Sequence, residues 1–223
     1  MNGIQKAVSP YPIVTKLNEG SNFPKVYEIN FGDNFIDKYG RVFRGSIYCI
    51  AKSYKESEFK FGSVTIDPID EHSAAQSFTN KFYVNDNLVE GYRKSDVLVR
   101  GVLNIVSDIN ITNHNTDQLT YRYTERKRTV TDNNDTPYIY TDDSYAMTGT
   151  CVGNIFVKGN EFEFSSNIEK PLQLVPGWKY FVSGVSVIEI GNSTQTTDFG
   201  EGALDNIAIR NLNGNIRTIF LNW

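Results

Sequence analysis

The sequence predicts an all-β protein in which short antiparallel strands, joined by hairpins, form a strongly twisted sheet. Aromatic residues make up 13% of the 223-residue chain, and they occur beside many Val, Ile, Thr and Asn residues, a composition typical of strands and turns. Apolar and polar residues alternate with a period of two, and no stretch combines a helical period with capping residues. Turn signals recur at intervals that fit roughly twelve to fifteen strands. A two-sheet sandwich or an open barrel is the main alternative.

The first half of the chain predicts two hairpins. Residues 25–31 alternate as a half-buried strand, and the polar turn Asp37-Lys38-Tyr39-Gly40 joins them to a second strand over 41–52. Asn85-Asp86 has the composition of a tight hairpin turn between two further strands. Other strands are predicted over 59–66, with a bulge at Gly62, and over 97–106 and 107–112.

The second half predicts a hairpin around Lys158-Gly159-Asn160 and a last hairpin around residues 211–215. Residues 172–175, bracketed by two prolines, are predicted to form at most an edge strand, because proline cannot donate to a ladder. Residues 178–190 carry apolar side chains on both faces, which predicts a central strand, and Gly184 within them predicts a bulge.

The predicted domain organisation is a loose N-terminal leader over 1–24 and a single all-β domain over 25–223. Pro10, Pro12 and Pro24 lie in the leader, and proline fixes φ and removes a backbone donor. The leader has no apolar signal core, and the chain has no apolar run long enough for a transmembrane helix.

One motif occurs twice, once near each end of the chain. The first copy reads Phe31-Gly32-Asp33-Asn34-Phe35-Ile36-Asp37, and the second reads Phe199-Gly200-Glu201-Gly202-Ala203-Leu204-Asp205. Both share the frame Phe-Gly-acid, three residues and Asp. Each copy follows a strand-like run and leads into another strand. We therefore predict a pair of structural corners, named the first corner and the second corner.

The corner acids Asp33, Asp37, Glu201 and Asp205 form the sharpest candidate site. If the corners met, four carboxylates would converge and could hold a cation or act as a glycosidase pair. The alternative, which the sequence favours, is that each acid accepts backbone N–H bonds and stabilises its own turn.

The candidate ligand surface consists of Tyr121, Tyr123, Tyr138 and Tyr140. Tyrosines at alternate positions usually pack in a core or in cross-strand pairs. Exposed rows of aromatic rings on a sheet would instead indicate a surface for a carbohydrate or a protein.

The two cysteines, Cys49 and Cys151, stand in strand-like segments. They are expected to be two buried free thiols, and a single bridge between them is the alternative.

The sequence lacks the motifs of most other metal-binding, catalytic and phosphate-binding sites. His72 and His114 stand apart, without the spacing of metal ligands. The run Asp132-Asn133-Asn134-Asp135 lacks the glycine and the distal glutamate of a calcium loop. No nucleophile elbow and no phosphate loop occur. The sequence therefore predicts no cofactor, no metal and no catalytic residue, and the mild net charge of −4 argues against a nucleic-acid partner.

Short segments in colinear order over residues 23–206 resemble a family of uncharacterised secreted lipoproteins of Gram-negative bacteria. The matching segments are Phe23-Pro24-Lys25 through Phe31-Gly32-Asp33, Tyr39-Gly40-Arg41, Arg44-Gly45-Ser46-Ile47, Phe82-Tyr83-Val84-Asn85, Val89-Glu90-Gly91, Thr148-Gly149-Thr150 with Gly153, Pro171-Leu172, Val182-Ser183-Gly184, and Phe199-Gly200-Glu201-Gly202 with Asp205-Asn206. The resemblance implies export and a lipid-anchored N-terminus, and it implies no established activity. In that family a cysteine often stands in each corner, where this chain has Phe35 and Leu204. The resemblance therefore implies that these two side chains touch, within about 4.5 Å.

The expected function is that of an exported cell-envelope protein, periplasmic or on the cell surface, with a non-catalytic binding or structural role toward a glycan or a protein partner. Its expected membrane contact is through an N-terminal lipid anchor outside this chain. The alternative is a glycoside hydrolase-like enzyme that uses the corner carboxylates. A third possibility is assembly through unpaired sheet edges.

Overall fold

A computed structural model describes the chain over residues 11–18, 22–66, 76–99, 102–132 and 143–221. These residues form seventeen strands and no helix. Among them, no helix is present that has the length and apolar character to cross a membrane. Neighbouring strands pair antiparallel in a twisted sheet. The predicted all-β class and twisted antiparallel sheet are confirmed.

The strands are joined mainly by short connections. In chain order they are β1 (Ile13–Lys16), β2 (Lys25–Asn30), β3 (Phe35–Ile36), β4 (Val42–Ala51), β5 (Glu56–Phe61), β6 (Val64–Ile66), β7 (Gln76–Phe78), β8 (Phe82–Val84), β9 (Asn87–Val99), β10 (Val102–Thr112), β11 (Leu119–Asp132), β12 (Ser144–Val157), β13 (Asn160–Leu174), β14 (Ser183–Ile190), β15 (Ser193–Glu201), β16 (Ile207–Leu212) and β17 (Asn215–Phe220). Three predicted hairpin turns are confirmed, and both central residues of each have positive φ, as the favoured two-residue hairpin turn requires. These turns are Asn85-Asp86, Lys158-Gly159 and Asn213-Gly214.

The chain forms two compact units. The first comprises Met1–Lys94 and Ile109–Thr120, and the second comprises Ser95–Asp108 and Tyr121–Trp223. Strands β9, β10 and β11 each contribute residues to both units. The single domain predicted over 25–223 stays a prediction.

In the first unit the strand order is β1-β2-β4-β5-β9, and β3 and β8 also pair with β4. Val26, Tyr48 and Ile50 form a buried cluster against which Leu17 and Phe78 pack. A separate group of aromatic rings packs the first corner against β4 and β8. The ring of Phe31 lies 5.3 Å from that of Phe43 and 5.5 Å from that of Phe82.

Part of the predicted leader is ordered as a strand. Residues Ile13–Lys16 form β1, which pairs with β2 in the register Ile13↔Asn30 to Lys16↔Tyr27. The side chain of Asn18 fixes the connection, because its oxygen accepts the N–H of Val26 at 2.8 Å and its amide donates to the carbonyl of Pro24. The prolines therefore flank a strand here and do not exclude one.

In the second unit the strands β11 to β17 lie side by side in chain order. Each pairs antiparallel with the next, so hairpins follow one another through the unit. Leu172, Val182, Val185 and Ala208 are among its buried apolar side chains. This is the predicted meander.

Two strand predictions in the first half of the chain are wrong. The strand expected over 59–66 is two strands, since Gly62 adopts a φ of +84°, β5 ends before it and β6 pairs with β7. The strand expected over 97–106 is also two strands, because β9 ends at Val99 and β10 begins at Val102.

The prediction for residues 172–175 is also wrong, because β13 continues through Pro171 to Leu174 and pairs on both sides. The pairing of β13 with β14 shifts between Lys170 and Gln173, so Pro171 falls outside that ladder. A proline is tolerated at such a bulge, where no ladder N–H is needed.

The strand predicted over 178–190 is shorter than expected, since β14 begins at Ser183. The indole N–H of Trp178 donates instead to the backbone oxygen of Asp205 at 3.3 Å. Two parts of the prediction are confirmed. β14 is central, between β13 and β15, and Gly184 has a φ of +108° at a register shift between Ser183 and Val185.

Candidate functional site

The first corner is held by side-chain oxygens at its two ends. The oxygen of Asn30 accepts the N–H of Gly32 at 2.7 Å. At the other end Asp37 accepts the backbone N–H groups of Tyr39 at 2.8 Å and Arg41 at 3.0 Å. The guanidinium of Arg41 also forms an ion pair with Asp37 at 2.6 Å. The carboxylate of Asp37 thus closes the turn that leads into β4.

The second corner repeats this arrangement. The carboxylate of Asp198 accepts the N–H of Gly200 at 2.8 Å, and that of Asp205 accepts the N–H of Ile207 at 3.0 Å. In both corners, therefore, the residue before the Phe-Gly pair and the final Asp each accept an N–H two residues further on. This local bond is the reason that Asn and Asp favour turns.

Hydrogen bonds lower the pKa of Asp37. The partial burial of the carboxyl works in the opposite direction, but the backbone N–H and the guanidinium of Arg41 and the backbone N–H of Tyr39 stabilise the charged form. For Asp37 and Asp205 the predicted turn role is confirmed.

The remaining corner residues are placed as follows. Asp33 and Glu201 are exposed. Phe35 packs on Phe31, with ring centres 5.5 Å apart, whereas Leu204 is 62% exposed. The contact predicted between Phe35 and Leu204 would join residues of different units, and it stays a prediction, as does convergence of the four acids. Within the described ranges, no three His, Cys, Asp or Glu side chains are grouped as metal ligands would be.

Two of the four candidate tyrosines lie on β11. Tyr121 is 36% exposed, and Tyr123 is half-buried and donates its hydroxyl hydrogen to the carboxylate of Glu125. Tyr138 and Tyr140 lie outside the described residues. Both cysteines are free thiols, as expected, but each is half-buried and not buried as predicted. Desolvation by the surrounding protein raises the pKa of the Cys49 thiol.

Tyr121 lines an open groove in the second unit, on one face of strands β11 to β14. Its volume is about 670 Å³. We call it the β11–β14 groove. Its lining residues are Tyr121, Val152, Gly153, Asn154, Glu161, Glu163, Phe164, Ser165, Glu189 and Gly191.

The register of the strands explains why these side chains share a face. Asn154 is paired with Glu163, and Ser165 is paired with Glu189. Paired residues of antiparallel strands point to the same side, and residues two apart on one strand do so too. Glu161, Glu163 and Ser165 therefore form one row along β13, and Glu189 faces the end of that row.

Side-chain hydrogen bonds order the polar lining of the groove. The oxygen of Asn154 accepts the backbone N–H of Tyr121, and its amide donates to the carboxylate of Glu161. The hydroxyl of Ser165 donates to Glu189 at 3.1 Å. Asn154 thus links the strand that carries the aromatic ring to the strand that carries the acids.

Gly153 allows close packing of the neighbouring strand and of an aromatic ring at the base of the groove. A Cβ atom on Gly153 would lie 2.1 Å from the backbone oxygen of Tyr121 and 3.0 Å from the ring of Phe164. The guanidinium of Arg122 lies 5.7 Å from the centre of the same ring. The ring of Phe164 therefore packs on Gly153, on the face of the sheet opposite the polar side chains of the groove.

The acids and the amide of the groove are absent from the sequence-based candidates. The signal that could have found them is the alternation Glu161-Phe162-Glu163-Phe164, which places two acids on one face of a strand and two rings on the other. The tyrosine was found, because alternate aromatics on a strand are conspicuous.

A buried acid was also missed by the sequence-based predictions. Asp143 is buried, and one of its carboxylate oxygens accepts the hydroxyl of Tyr145 at 3.2 Å, while the other has no hydrogen-bond partner among the described residues. Arg128 lies over the ring of Tyr145, 3.3 Å from its centre. Burial raises the pKa of Tyr145, and the charge of Arg128 opposes this.

Comparisons with known proteins leave the chain to be interpreted from its own geometry. No family model, curated protein or solved structure matches it.

Proposed function

We propose that the protein is a non-catalytic binding protein and that the β11–β14 groove binds a glycan. The observation that carries the proposal is the combination of one exposed aromatic ring, Tyr121, with carboxylate, amide and hydroxyl groups in an open groove of about 670 Å³. Sugars have apolar C–H faces that pack on an aromatic ring, and they have hydroxyl groups that donate to carboxylates. A groove that supplies both surfaces matches this chemistry.

The charge of the groove narrows the class of glycan. Glu161, Glu163 and Glu189 line it, and none of the lining residues is a lysine or an arginine. An acidic glycan would place like charges together, which costs binding free energy. The expected ligand is therefore a neutral sugar chain or one that carries amino groups.

The corner carboxylates support binding less well than the groove does. Asp37 is tied to Arg41 and Asp205 accepts the N–H of Ile207. A glycosidase needs two carboxyl groups that face the scissile bond from both sides. We therefore do not carry the hydrolase alternative into the proposal.

The test is a binding measurement with defined oligosaccharides. Neutral gluco-oligosaccharides, chitosan oligosaccharides and oligogalacturonates are added to the full chain, and the melting temperature and the Kd are measured. Binding to the folded state raises the melting temperature by mass action. We expect a rise with a neutral or amino oligosaccharide and none with the oligogalacturonate.

Variants locate the site. Tyr121→Ala is expected to weaken binding by about fivefold or more, since truncating a central aromatic anchor typically costs more than about 1 kcal/mol. Tyr54→Ala is the matched control, because Tyr54 is 92% exposed and lies in the first unit. Glu163→Gln should also weaken binding, whereas Glu169→Gln, exposed on the same strand, should not. Equal affinities for Tyr121→Ala and Tyr54→Ala would refute the groove as the site, and release of reducing ends would refute the non-catalytic role.

The proposal also includes export to the periplasm or the cell surface and a lipid anchor, which the resemblance of the short segments over residues 23–206 supports. Detection of the protein in the membrane fraction of a cell that expresses it from its own full gene is the expected result. Recovery from the cytoplasmic fraction alone would contradict export.

A further inference from the structure

The edge strand β17 has the features of a strand that pairs with another chain. Among the strands that the structure describes, it is the last of its sheet and pairs with β16 alone. Its six residues run in continuous register without a bulge, and they include no proline and no acidic or lysine residue. Natural proteins usually protect an edge by such devices. Within the described ranges, the charge of Arg217 is the one such device on β17.

The other sheet edge provides a comparison. In the first unit β1 is an edge strand of four residues, it contains Lys16, and Pro12 immediately precedes it. A short strand, a lysine and a proline are the usual protection against pairing. The edges at β1 and β17 are therefore unequal, and β17 is the less protected of these two.

The backbone groups that β17 turns outward can be assigned from its register. The N–H of Leu221 donates to the backbone oxygen of Asn206 at 2.7 Å, so position 221 faces β16. Along an antiparallel strand the hydrogen-bonding direction alternates from residue to residue. The N–H and C=O groups of Ile216, Thr218 and Phe220 therefore point away from the sheet.

The side chains of these three residues also share one face of the strand, where Thr218 lies between two apolar side chains. Ile216 and Phe220 are each 66% exposed. Ile209 on β16 is paired with Thr218 and is 50% exposed, which extends the apolar surface by one strand. Exposed apolar rows of this kind mark interaction surfaces.

We propose that β17 pairs antiparallel with β17 of a second copy of this chain, around a two-fold axis at Thr218. In this register Thr218 faces Thr218 of the other copy, and Ile216 faces Phe220 in both directions. The outward groups of all three residues then form ladder bonds. The pairs of a branched aliphatic side chain with an aromatic ring are favourable ones across strands.

The charge and the sequence of β17 both favour a second copy of this chain over an unrelated peptide as its partner. The single charge of β17, Arg217, lies opposite Ile219 in this register, so no like charges meet. The sequence reads Ile-x-Thr-x-Phe in one direction and meets Phe-x-Thr-x-Ile in the other, so the strand complements itself.

The size of the contact predicts its strength. A strand of six residues is roughly 20 Å long. Pairing two of them, with their apolar rows, buries on the order of 1,000 Å² in total, which is near the lower limit for a specific interface. The dimer is therefore weak and depends on concentration.

The first experiment measures the mass of the full chain by sedimentation from about 1 µM to about 1 mM, the range of weak dimers. The weight-average mass is expected to rise from that of the 25.3 kDa monomer toward the dimer. Thr218→Pro removes an outward N–H without touching the ladder to β16, and Ile216→Lys adds an edge charge. Both should weaken the dimer at least tenfold. Val157→Lys, a change at an exposed apolar position away from the edge, should leave it intact.

A second experiment tests the register. Facing hydrogen-bonded residues have Cα atoms about 5.5 Å apart, a distance that a disulfide can span. Thr218→Cys is therefore expected to form a covalent dimer under mild oxidation, and Thr194→Cys, exposed on β15, is not. A monomer at all concentrations, or equal crosslinking of the two cysteine variants, would overturn the proposal.

Discussion

Gly45 in β4 is the position at which a single added methyl group should destabilise the first unit most clearly. Its φ is +84°, and its carbonyl and N–H bond to Phe31 and Gly32 of the first corner. A Cβ atom there would lie 1.8 Å from the backbone oxygen of Lys81 and 3.0 Å from its carbonyl carbon. The neighbour is backbone next to β8, so it cannot rotate away as a side chain could.

The expected loss for Gly45→Ala has two parts. A left-handed conformation costs an alanine about 1–2 kcal/mol. Forcing backbone apart in a packed region adds about 1–3 kcal/mol. The sum is about 2–5 kcal/mol, and for a chain of this size each kcal/mol lowers the melting temperature by about 2–4 °C.

The matched control for Gly45→Ala is Gly40→Ala. Gly40 has a similar φ of +77°, and no atom lies within 4 Å of the position of its Cβ. It should therefore show only the conformational cost, about 1–2 kcal/mol. Urea unfolding followed by tyrosine fluorescence and far-ultraviolet circular dichroism measures both variants. Equal losses for the two would refute the steric argument.

Two further predictions concern the first unit. Because the pKa of Asp37 lies below its ordinary value of 3.8, the charge contributes stability above that pH and loses it as the pH falls through the lower folded value. Between about pH 5 and pH 2 the melting temperature of Asp37→Asn should therefore fall less than that of the parent chain, and a parallel fall would contradict this. Tyr48 is 1% exposed and its hydroxyl accepts the amide of Asn80. In urea unfolding, Tyr48→Phe should lower the free energy of unfolding by about 0.5–1.5 kcal/mol and Tyr48→Ala by about 3–5 kcal/mol. A Phe variant as unstable as the Ala variant would show that burial of the ring is not the main contribution of Tyr48 to stability.

The fold was predictable where turn chemistry and alternation agree. Asn85-Asp86 and Asn213-Gly214 supply residues that tolerate positive φ between alternating segments, and both hairpins are confirmed. The extent of strands was less predictable. Pro171 lies inside a paired strand only because the register slips there, and a register slip depends on the neighbouring strands, which one segment of sequence does not encode.

The corner was partly predictable from sequence. The final Asp of each copy does stabilise its turn, but Asn30 and Asp198, which do the same at the other end, were missed because they stand just outside the repeated frame. The groove depends on four strands brought together by register. Tyr121 alone drew attention in the sequence, since the side chains that surround it are distant along the chain.

The neighbour-to-neighbour pairing of β11 to β17 has a consequence for how the second unit folds and opens. Contacts that are close along the chain cost little loop-closure entropy, so hairpins of this kind can form one after another from any starting point. Each inner strand is held from two sides, whereas β17 is held from one. Amide hydrogens of the final hairpin should therefore exchange with solvent first, and protection should grow strand by strand toward β13 and β14.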